Sequence, residues 1–523
     1  MANGLKRLPT GIQTFEIIRK DNYLYIDKTD LVYQLTHDNR YVFMSRPRRF
    51  GKSLLCSTLK SYFEGRSDLF QGLAIEQMET EWRKHPVLLI SLASMKAGTE
   101  KEFNDKIDNQ LSWYEKQYGV QKTSDTPGAR FENLIKQAPA KMGGEKTVVI
   151  IDEYDAPLLA TLHEPQKLKE MRTTVRSLFS CLKDCDPWLR FVFLTGITKF
   201  SQVSIFSELN NLDKITMMPH YSTICGITQE ELETQMMPWV EHLAQDLGLT
   251  IDDTLLRLKR NYDGYHFARD LKEVYNPYSL LQALKWSETK DYWFDTGTPS
   301  SLVNMLLKFG ADIMDFDDGR QCEVHEFDAP TEKMTTPVPF FYQSGYLTIK
   351  DYDADMDSYT LRYPNYEVRN GMINALIPYY LEGDTIHAKN IVADVYRAIR
   401  RDDLDEALQT LKAYFASIPY AENANSEGHY QTMLYVVFSL LGRYVQQEVR
   451  TAKGRIDMVL HTATDIYVIE LKIDRPAQEA LDQIGQRGYL LPYTLDNRRL
   501  HKVGISFSTT ERTISEWKEE TTE

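Results

Sequence analysis

The segment Tyr41–Phe63, YVFMSRPRRFGKSLLCSTLKSYF, restricts the fold more than any other stretch of the chain. A short apolar run rich in strand formers ends at Ser45, and a basic loop closing on Gly51, Lys52 and Ser53 follows. Leu54, Leu55, Thr58, Leu59, Tyr62 and Phe63 then recur at helical spacing. A strand, a GKS loop and an amphipathic helix are the parts of a phosphate cradle. In such a cradle backbone N–H groups point inward, a lysine reaches the terminal phosphates and a hydroxyl sits on Mg2+. Gly51 permits close backbone approach, Lys52 and Ser53 supply charge and metal ligand, and the N-terminal dipole of the helix favours an anion. The glycine that usually opens the loop is replaced by Arg46, which Pro47 restricts to extended geometry. The expected nucleotide-binding residues are therefore Arg46, Pro47, Arg48, Arg49, Phe50, Gly51, Lys52, Ser53 and Leu54, with the three arginines adding positive field.

About a hundred residues later comes TVVIIDEYDAPLL. Its apolar run Val148–Ile151 reads as a buried strand that delivers Asp152 and Glu153 to its tip. An acid there can hold Mg2+ through water, and the next can polarise an attacking water. Two such carboxylates also serve as caps for a following helix. A further strand, RFVFLTGIT, brings Thr195 and Thr198 to its end, where a hydroxyl can sense a terminal phosphate or satisfy a turn. Strand-like runs and amphipathic stretches alternate from residue 1 to about 285, which predicts a parallel sheet covered by helices. Residues 286–430 read as a mainly helical middle region with one hairpin near FYQSGYLTIKDYDADMDSYTLRYP and a polar linker at 419–429.

Residues 431–523 read as a small α/β domain with a second acidic site. Arg455–Leu460 is expected as one strand containing Asp457, and Ile466–Ile473 as the next. Glu470 and Lys472, two apart, share a face. A hairpin can bring Asp457 beside Glu470, so that two carboxylates bind a divalent metal while Lys472 orients or activates water at a phosphodiester. An ExK pair is also common as a plain salt bridge on an exposed strand.

LPTGIQTFEIIRKDNYLYIDKTDLVYQL, SRPRRFGKSLL, VVIIDEYDAPL, FLTGITKFS and NYDGYHF…VYNPYSLL, with the acidic motif near the C-terminus, resemble bacterial AAA-ATPase-like proteins carrying a C-terminal PD-(D/E)XK nuclease-type domain. The resemblance implies a P-loop NTPase sheet, a helical middle region and a restriction-endonuclease-like C-terminal domain. It implies that the family tends to carry this loop with the first glycine replaced, that Lys52 and Ser53 contact phosphate and Mg2+, that Asp152 supports the metal and that Glu153 is the base. By the same likeness Asp457, Glu470 and Lys472 form the nuclease site, Glu448 is an extra acidic metal ligand, and Gln483 and Tyr489 are the glutamine–tyrosine feature of exonuclease-like branches. The spacing of that last pair departs from the commonest form. Arg172, Arg176 and Arg190 are arginine-finger candidates by position alone.

A net charge of −14 argues against broad non-specific DNA binding but permits a local basic groove. Arg498, Arg499, His501 and Lys502 are one candidate contact to phosphates, with a solvated turn as the alternative. Asp263, Tyr265 and His266 are candidates for closing the nucleotide pocket or for a domain contact. Five irregularly spaced cysteines do not form a disulfide framework, and Cys181 and Cys185 read as packing residues in a reducing cytoplasm. No apolar run is long enough to span a bilayer. The expected ligands are ATP with Mg2+, and Mg2+ or Mn2+ at the second site. DNA is the expected macromolecular partner, and self-association is left open. Two functions follow: an ATPase coupled to a metal-dependent DNase, or an ATP-driven switch or scaffold that binds nucleic acid or protein without cutting.

Overall fold

The computed structural model describes residues 5–93, 98–200, 212–294, 319–380, 403–417, 464–494, 496 and 498–522. It also describes shorter pieces between 305 and 316, 390 and 401, and 446 and 461. The chain forms two compact units. The first comprises Met1–Thr298 with Phe316–Arg369, and the second Pro299–Asp315 with Asn370–Glu523. The stretch 286–430, read above as a region of its own, is shared between them. The linker at 419–429 lies outside the described residues.

The first unit is built on strands β1 (Tyr41–Ser45), β2 (Val87–Ser91), β3 (Thr147–Asp152), β4 (Leu189–Gly196) and β5 (Asp213–Lys214). All pairings are parallel and the order is β2-β3-β4-β1-β5. Parallel strands carry helices on both faces, which is why they read as unbroken apolar runs. Every residue of β1 and β3 is buried. β4 lies between the loop strand and the acid strand, with Ser45 registered on Gly196. The loop, Thr195 and Asp152 therefore meet at one end of the sheet.

The free edge of β2 is closed by side chains instead of a strand. Helix Glu100–Tyr118 presents Gln110, Tyr114 and Tyr118, whose polar ends exchange hydrogen bonds with the backbone of Ser91, Leu89 and Val87 respectively. The match is geometric: four helical residues rise about 6 Å and two strand residues about 6.6 Å. Phe103, Ile107 and Leu111 of the same helix enter the core of the unit. An edge covered in this way offers no backbone to another chain.

Later in this unit, β6 (Arg320–Cys322), β7 (Thr348–Asp353) and β8 (Ser358–Arg362) form an antiparallel sheet of order β6-β8-β7. β7 and β8 are the hairpin expected from sequence.

In the second unit, β9 (Gln446–Gln447), β12 (Met458–His461), β13 (Asp465–Ile473), β14 (Arg499–Ser508) and β15 (Thr513–Thr522) form a mixed sheet of order β15-β14-β13-β12-β9. Only β13 and β14 run parallel. A separate ribbon pairs β10 (Arg450–Thr451) with β11 (Gly454–Arg455). The single strand expected over Arg455–Leu460 is thus interrupted, with Asp457 in the bend before β12. Helix Ala477–Arg487 lies on the sheet through Ala480, Leu481 and Ile484. Gly504 permits the approach, since a Cβ there would stand 2.3 Å from the Ala477 carbonyl oxygen. Helix Leu404–Ser417 is tied to β15 by Trp517 Nε1 donating to Asp405 and to β14 by Phe415 packed edge-on to Phe507. The α/β class, with a parallel sheet in the N-terminal part, helices in the middle and a small mixed sheet at the C-terminus, is the one expected.

Candidate functional site

The loop between β1 and helix Lys52–Phe63 turns through left-handed backbone at Arg49 (φ 66°) and Gly51 (φ 90°). Arg46 needs no such conformation, so the turn that a first glycine would relieve is made three residues later. A Cβ on Gly51 would meet nothing within 4 Å, so glycine is required there by conformation and not by space.

Arg46 is a buried strut. Its guanidinium donates to the carbonyls of Ser45 (2.9 Å), Thr216 (2.8 Å) and Tyr221 (3.2 Å) and lies 4.2 Å over the Phe267 ring. The sequence reading had it adding field at the phosphates; its side chain is spent on backbone carbonyls and an aromatic face. Arg48 and Arg49 are exposed, Arg49 lying over Tyr278 and the Arg48 carbonyl accepting from Trp293 Nε1 (3.0 Å). Phe50 is buried between Tyr265 and Phe267, at 4.7 and 5.3 Å between ring centroids. Pro47 is buried against Gly345, where a Cβ would come within 2.6 Å of it. The NYDGYHF segment is therefore the floor beneath the loop. Asp263 in it is buried, its Oδ2 3.6 Å from Lys259 Nζ and neither oxygen within hydrogen-bond distance of a partner, and burial lifts its carboxyl to about 6. Burial lowers the His266 imidazole to about 4.

Lys52 donates to the carbonyls of Arg46 (3.0 Å) and Pro47 (2.9 Å), folded onto its own loop. Burial lowers its ammonium, and the charges of Glu153, Asp152 and Asp155 oppose that shift. At the tip of β3, burial raises the Asp152, Glu153 and Asp155 carboxyls, with Lys52 holding each down. The Ser53 hydroxyl also holds the Asp152 carboxyl down. Leu54, on the first turn of the helix, accepts at its carbonyl from Thr58. Glu153 is half-buried in left-handed backbone (φ 54°), a conformation that costs a non-glycine residue roughly 1–3 kcal/mol. Asp152 Oδ1, Asp155 Oδ1 and Thr195 Oγ1 are buried without a hydrogen-bond partner. Each such atom costs about 1–3 kcal/mol. Three at adjoining strand tips, beside a lysine, suit a hydrated cation and an anion, so the residues present fit Mg2+ with a polyphosphate.

Of the arginine candidates, Arg190 stands at the opening end of β4, away from Thr195, and donates to the Thr36 carbonyl. Arg172 and Arg176 lie on helix Pro165–Phe179. Two residues carried no signal in the sequence reading. Asp155 is fully buried at this site, and Lys106 feels the charge of Glu153.

In the second unit, Asp457 accepts the Leu471 N–H (2.8 Å) from the bend before β12. Leu471 lies past the last residue that β12 pairs, so the carboxylate takes over where the ladder stops. Glu470, 3% exposed, accepts from Gln483 Nε2 and lies 3.5 Å from Lys472 Nζ, which donates to Gln483 Oε1 (2.6 Å). Burial and the neighbouring Asp457 push the Glu470 carboxyl up to about 7. Its Oε2 has no partner. Two adjacent carboxylates with an orphaned oxygen fit one divalent cation. Among the described residues no cluster of three or more His, Cys, Asp or Glu is arranged for a metal, so the remaining ligands would be solvent or substrate oxygens. Glu448 lies outside the described residues. Tyr489 is buried with Val459, Ile466, Val468, Leu481 and Ile484 in the apolar core of the unit.

The basic run of β14 is neutralised. Arg498 pairs with Asp496 (2.7 Å), Arg499 with Asp465 (2.7 Å), His501 with Asp465 and Glu519, and Lys502 with Glu520 (3.1 Å). All five cysteines are buried and free. No described helix is long and apolar enough to cross a membrane.

A family described as "Predicted AAA-ATPase" matches residues 9–206, and one described as "PD-(D/E)XK nuclease superfamily" matches residues 425–517. The chain is 37% identical over 525 residues to an "Uncharacterized protein in vnfD 5'region" of Azotobacter chroococcum mcd 1. The match covers 97% of this chain and 98% of that protein. The chain belongs to the family of AAA-ATPase-like proteins that carry a PD-(D/E)XK nuclease superfamily domain at the C-terminus.

Proposed function

We propose that the chain binds and hydrolyses ATP with Mg2+ in its first unit and, coupled to that, cleaves DNA with Mg2+ or Mn2+ in its second. One observation carries the reading. In each unit a buried carboxylate on a strand keeps an oxygen without a protein partner next to a lysine: Asp152, the last residue of β3, with Lys52, and Glu470, inside β13, with Lys472.

In the first unit Lys52 would leave the two loop carbonyls for the terminal phosphates, and Ser53 and Asp152 would hold the metal. Mg2+ when bound supplies charge neutralisation of the phosphates. Glu153 orients a water and takes its proton, burial having raised its affinity for one. Thr195 offers its unpartnered hydroxyl to the outermost phosphate. In the second unit Asp457 and Glu470 would hold the metal, which would supply polarisation of the scissile phosphate and a lowered pKa of water. Lys472 orients the attacking water, and Gln483 fixes Lys472 and Glu470 together.

The test is incubation with linear, circular and single-stranded DNA and with RNA, in Mg2+ or Mn2+, with and without ATP. Cleavage by the wild type should fall at least ~100-fold in Lys472→Ala, with ATP turnover retained. No cleavage of any substrate by a chain that hydrolyses ATP would favour the switch or scaffold.

A further inference from the structure

Asp155 follows the two acids already assigned and stands at the N-cap of the short helix Ala156–Leu159. An aspartate there ordinarily caps its own helix. This one does not. Its carboxylate turns to the exit of β4, where Oδ2 accepts from Ile197 N–H (3.0 Å), Thr198 N–H (2.6 Å) and Thr198 Oγ1 (2.8 Å). Its side chain is wholly buried, and a Cβ on Gly196 would fall 2.4 Å from Oδ1. Tyr154 makes parallel ties: its N–H donates to the Thr195 carbonyl (3.1 Å) and its hydroxyl to the Thr198 carbonyl (3.0 Å).

The far side of the same segment is also held. Lys199 N–H donates to Gln343 Oε1 (2.7 Å), and the Lys199 ammonium pairs with Asp328. Residues 197–199 are thus fixed from both sides, and Asp155 is the fixture on the side of the acid strand. The last registered pair of β3 and β4 is Ile151 with Leu194. Beyond it the register ends and the bond from Tyr154 N–H to the Thr195 carbonyl is the backbone tie that continues, where Glu153 and Thr195 have to be placed. A carboxylate accepting three donors in a dry site is a stiff joint.

We propose that Asp155 is a positioning residue of the nucleotide site, clamping the exit of β4 to the exit of β3 so that Glu153 and Thr195 stand at a fixed distance from phosphates held by Lys52. The proposal rests on the nucleotide reading above. Asp155 touches no phosphate in it and acts through the two residues it spaces.

The test compares full-length wild type, Asp155→Asn, Thr198→Val and Thr198→Ser, measuring MgATP affinity by calorimetry and kcat by phosphate release. The asparagine turns either a donor or a weakened acceptor toward two N–H groups and a hydroxyl. Its kcat should fall about 100-fold, as for a displacement near 1 Å, with Kd changed less than about threefold. Thr198→Val, which removes one of the three donors, should lose about tenfold in kcat. Thr198→Ser, which restores the hydroxyl, should stay within about twofold of wild type. A merely structural role would lower the folded fraction and scale binding and turnover together, in the serine variant as in the others; that pattern overturns the proposal. So does unchanged kcat in Thr198→Val, even if Asp155→Asn fails to fold. A folded wild type that binds no MgATP overturns both this inference and the reading beneath it, whereas wild-type turnover in all the variants overturns this inference alone.

Discussion

Asp152–Asp155 in the first unit and Glu470 in the second face the same electrostatic problem and handle it differently. Both bury carboxylates on or just beyond a strand, Asp152–Asp155 at the exit of β3 and Glu470 within β13, which raises their pKa values. In the second unit the protein largely answers its own demand. Gln483 and Lys472 bond one side of Glu470 and each other, leaving a single orphaned oxygen. In the first unit the lysine is turned away onto loop carbonyls, three polar atoms remain without partners, and Glu153 keeps a strained backbone. On the proposed reading the second site takes one cation, whereas the first takes a cation and a polyanion, with Lys52 moving from two loop carbonyls to the phosphates.

The largest expected effect separates chemistry from binding in the first unit. Glu153→Gln should lower ATP turnover about 1,000-fold while leaving MgATP affinity within about threefold, because a base acts on water and not on the bound ligand. A parallel loss of affinity, seen by calorimetry, would make Glu153 a ligand and erase the distinction from Glu470.

The second prediction concerns pH. Glu470 has its folded value raised from an ordinary 4.5 to about 7. The folded chain therefore holds the proton longer than the unfolded chain. Its favourable contribution is complete below about pH 4.5 and is lost as pH rises through about 7. Without metal, Glu470→Gln should thus stabilise the second unit at pH 8 by on the order of 2 kcal/mol, and by little at pH 5. Mn2+ should raise the wild-type melting temperature more at pH 8 than at pH 6, and should do nothing for the glutamine variant. Melting curves with equal Mn2+ shifts at both pH values would contradict the metal assignment.

The smallest of the three bears on the loop itself. Arg46→Lys preserves charge but not the planar fork that reaches three carbonyls while stacking on Phe267. It should destabilise the first unit by about 2 kcal/mol in denaturant unfolding and weaken MgATP binding only to that extent. Full tolerance of lysine would return Arg46 to the role of a charge near the phosphates.

What was legible in the sequence is what is contiguous. Gly51-Lys52-Ser53, the apolar run ending in Asp152-Glu153, and the Glu470-x-Lys472 pair each carry their geometry in a few neighbouring residues. The alternation of strands and helices likewise follows from local periodicity. What was not legible depends on partners far along the chain. Arg46 reads as a loop cation until Thr216, Tyr221 and Phe267 are placed around it. Asp155 reads as a helix cap until the exit of β4 is laid beside it. The rungs from Gln110, Tyr114 and Tyr118 to the edge of β2 need the helix and strand to run side by side. The basic run Arg498–Lys502 looks like a phosphate contact until Asp465, Asp496, Glu519 and Glu520 are seen against it. Asp457 sits in a bend because its carboxylate replaces a missing ladder partner of Leu471, which strand propensity does not record.

The central claim is that a loop opening on a bulky, buried arginine still captures a triphosphate through Lys52 and Ser53. Titrating MgATP into the folded full-length chain in a calorimeter tests it most directly. Saturable heat at one site per chain, lost in Lys52→Ala, is the predicted result. No heat from well-folded wild type, or the same isotherm in the alanine variant, would contradict it.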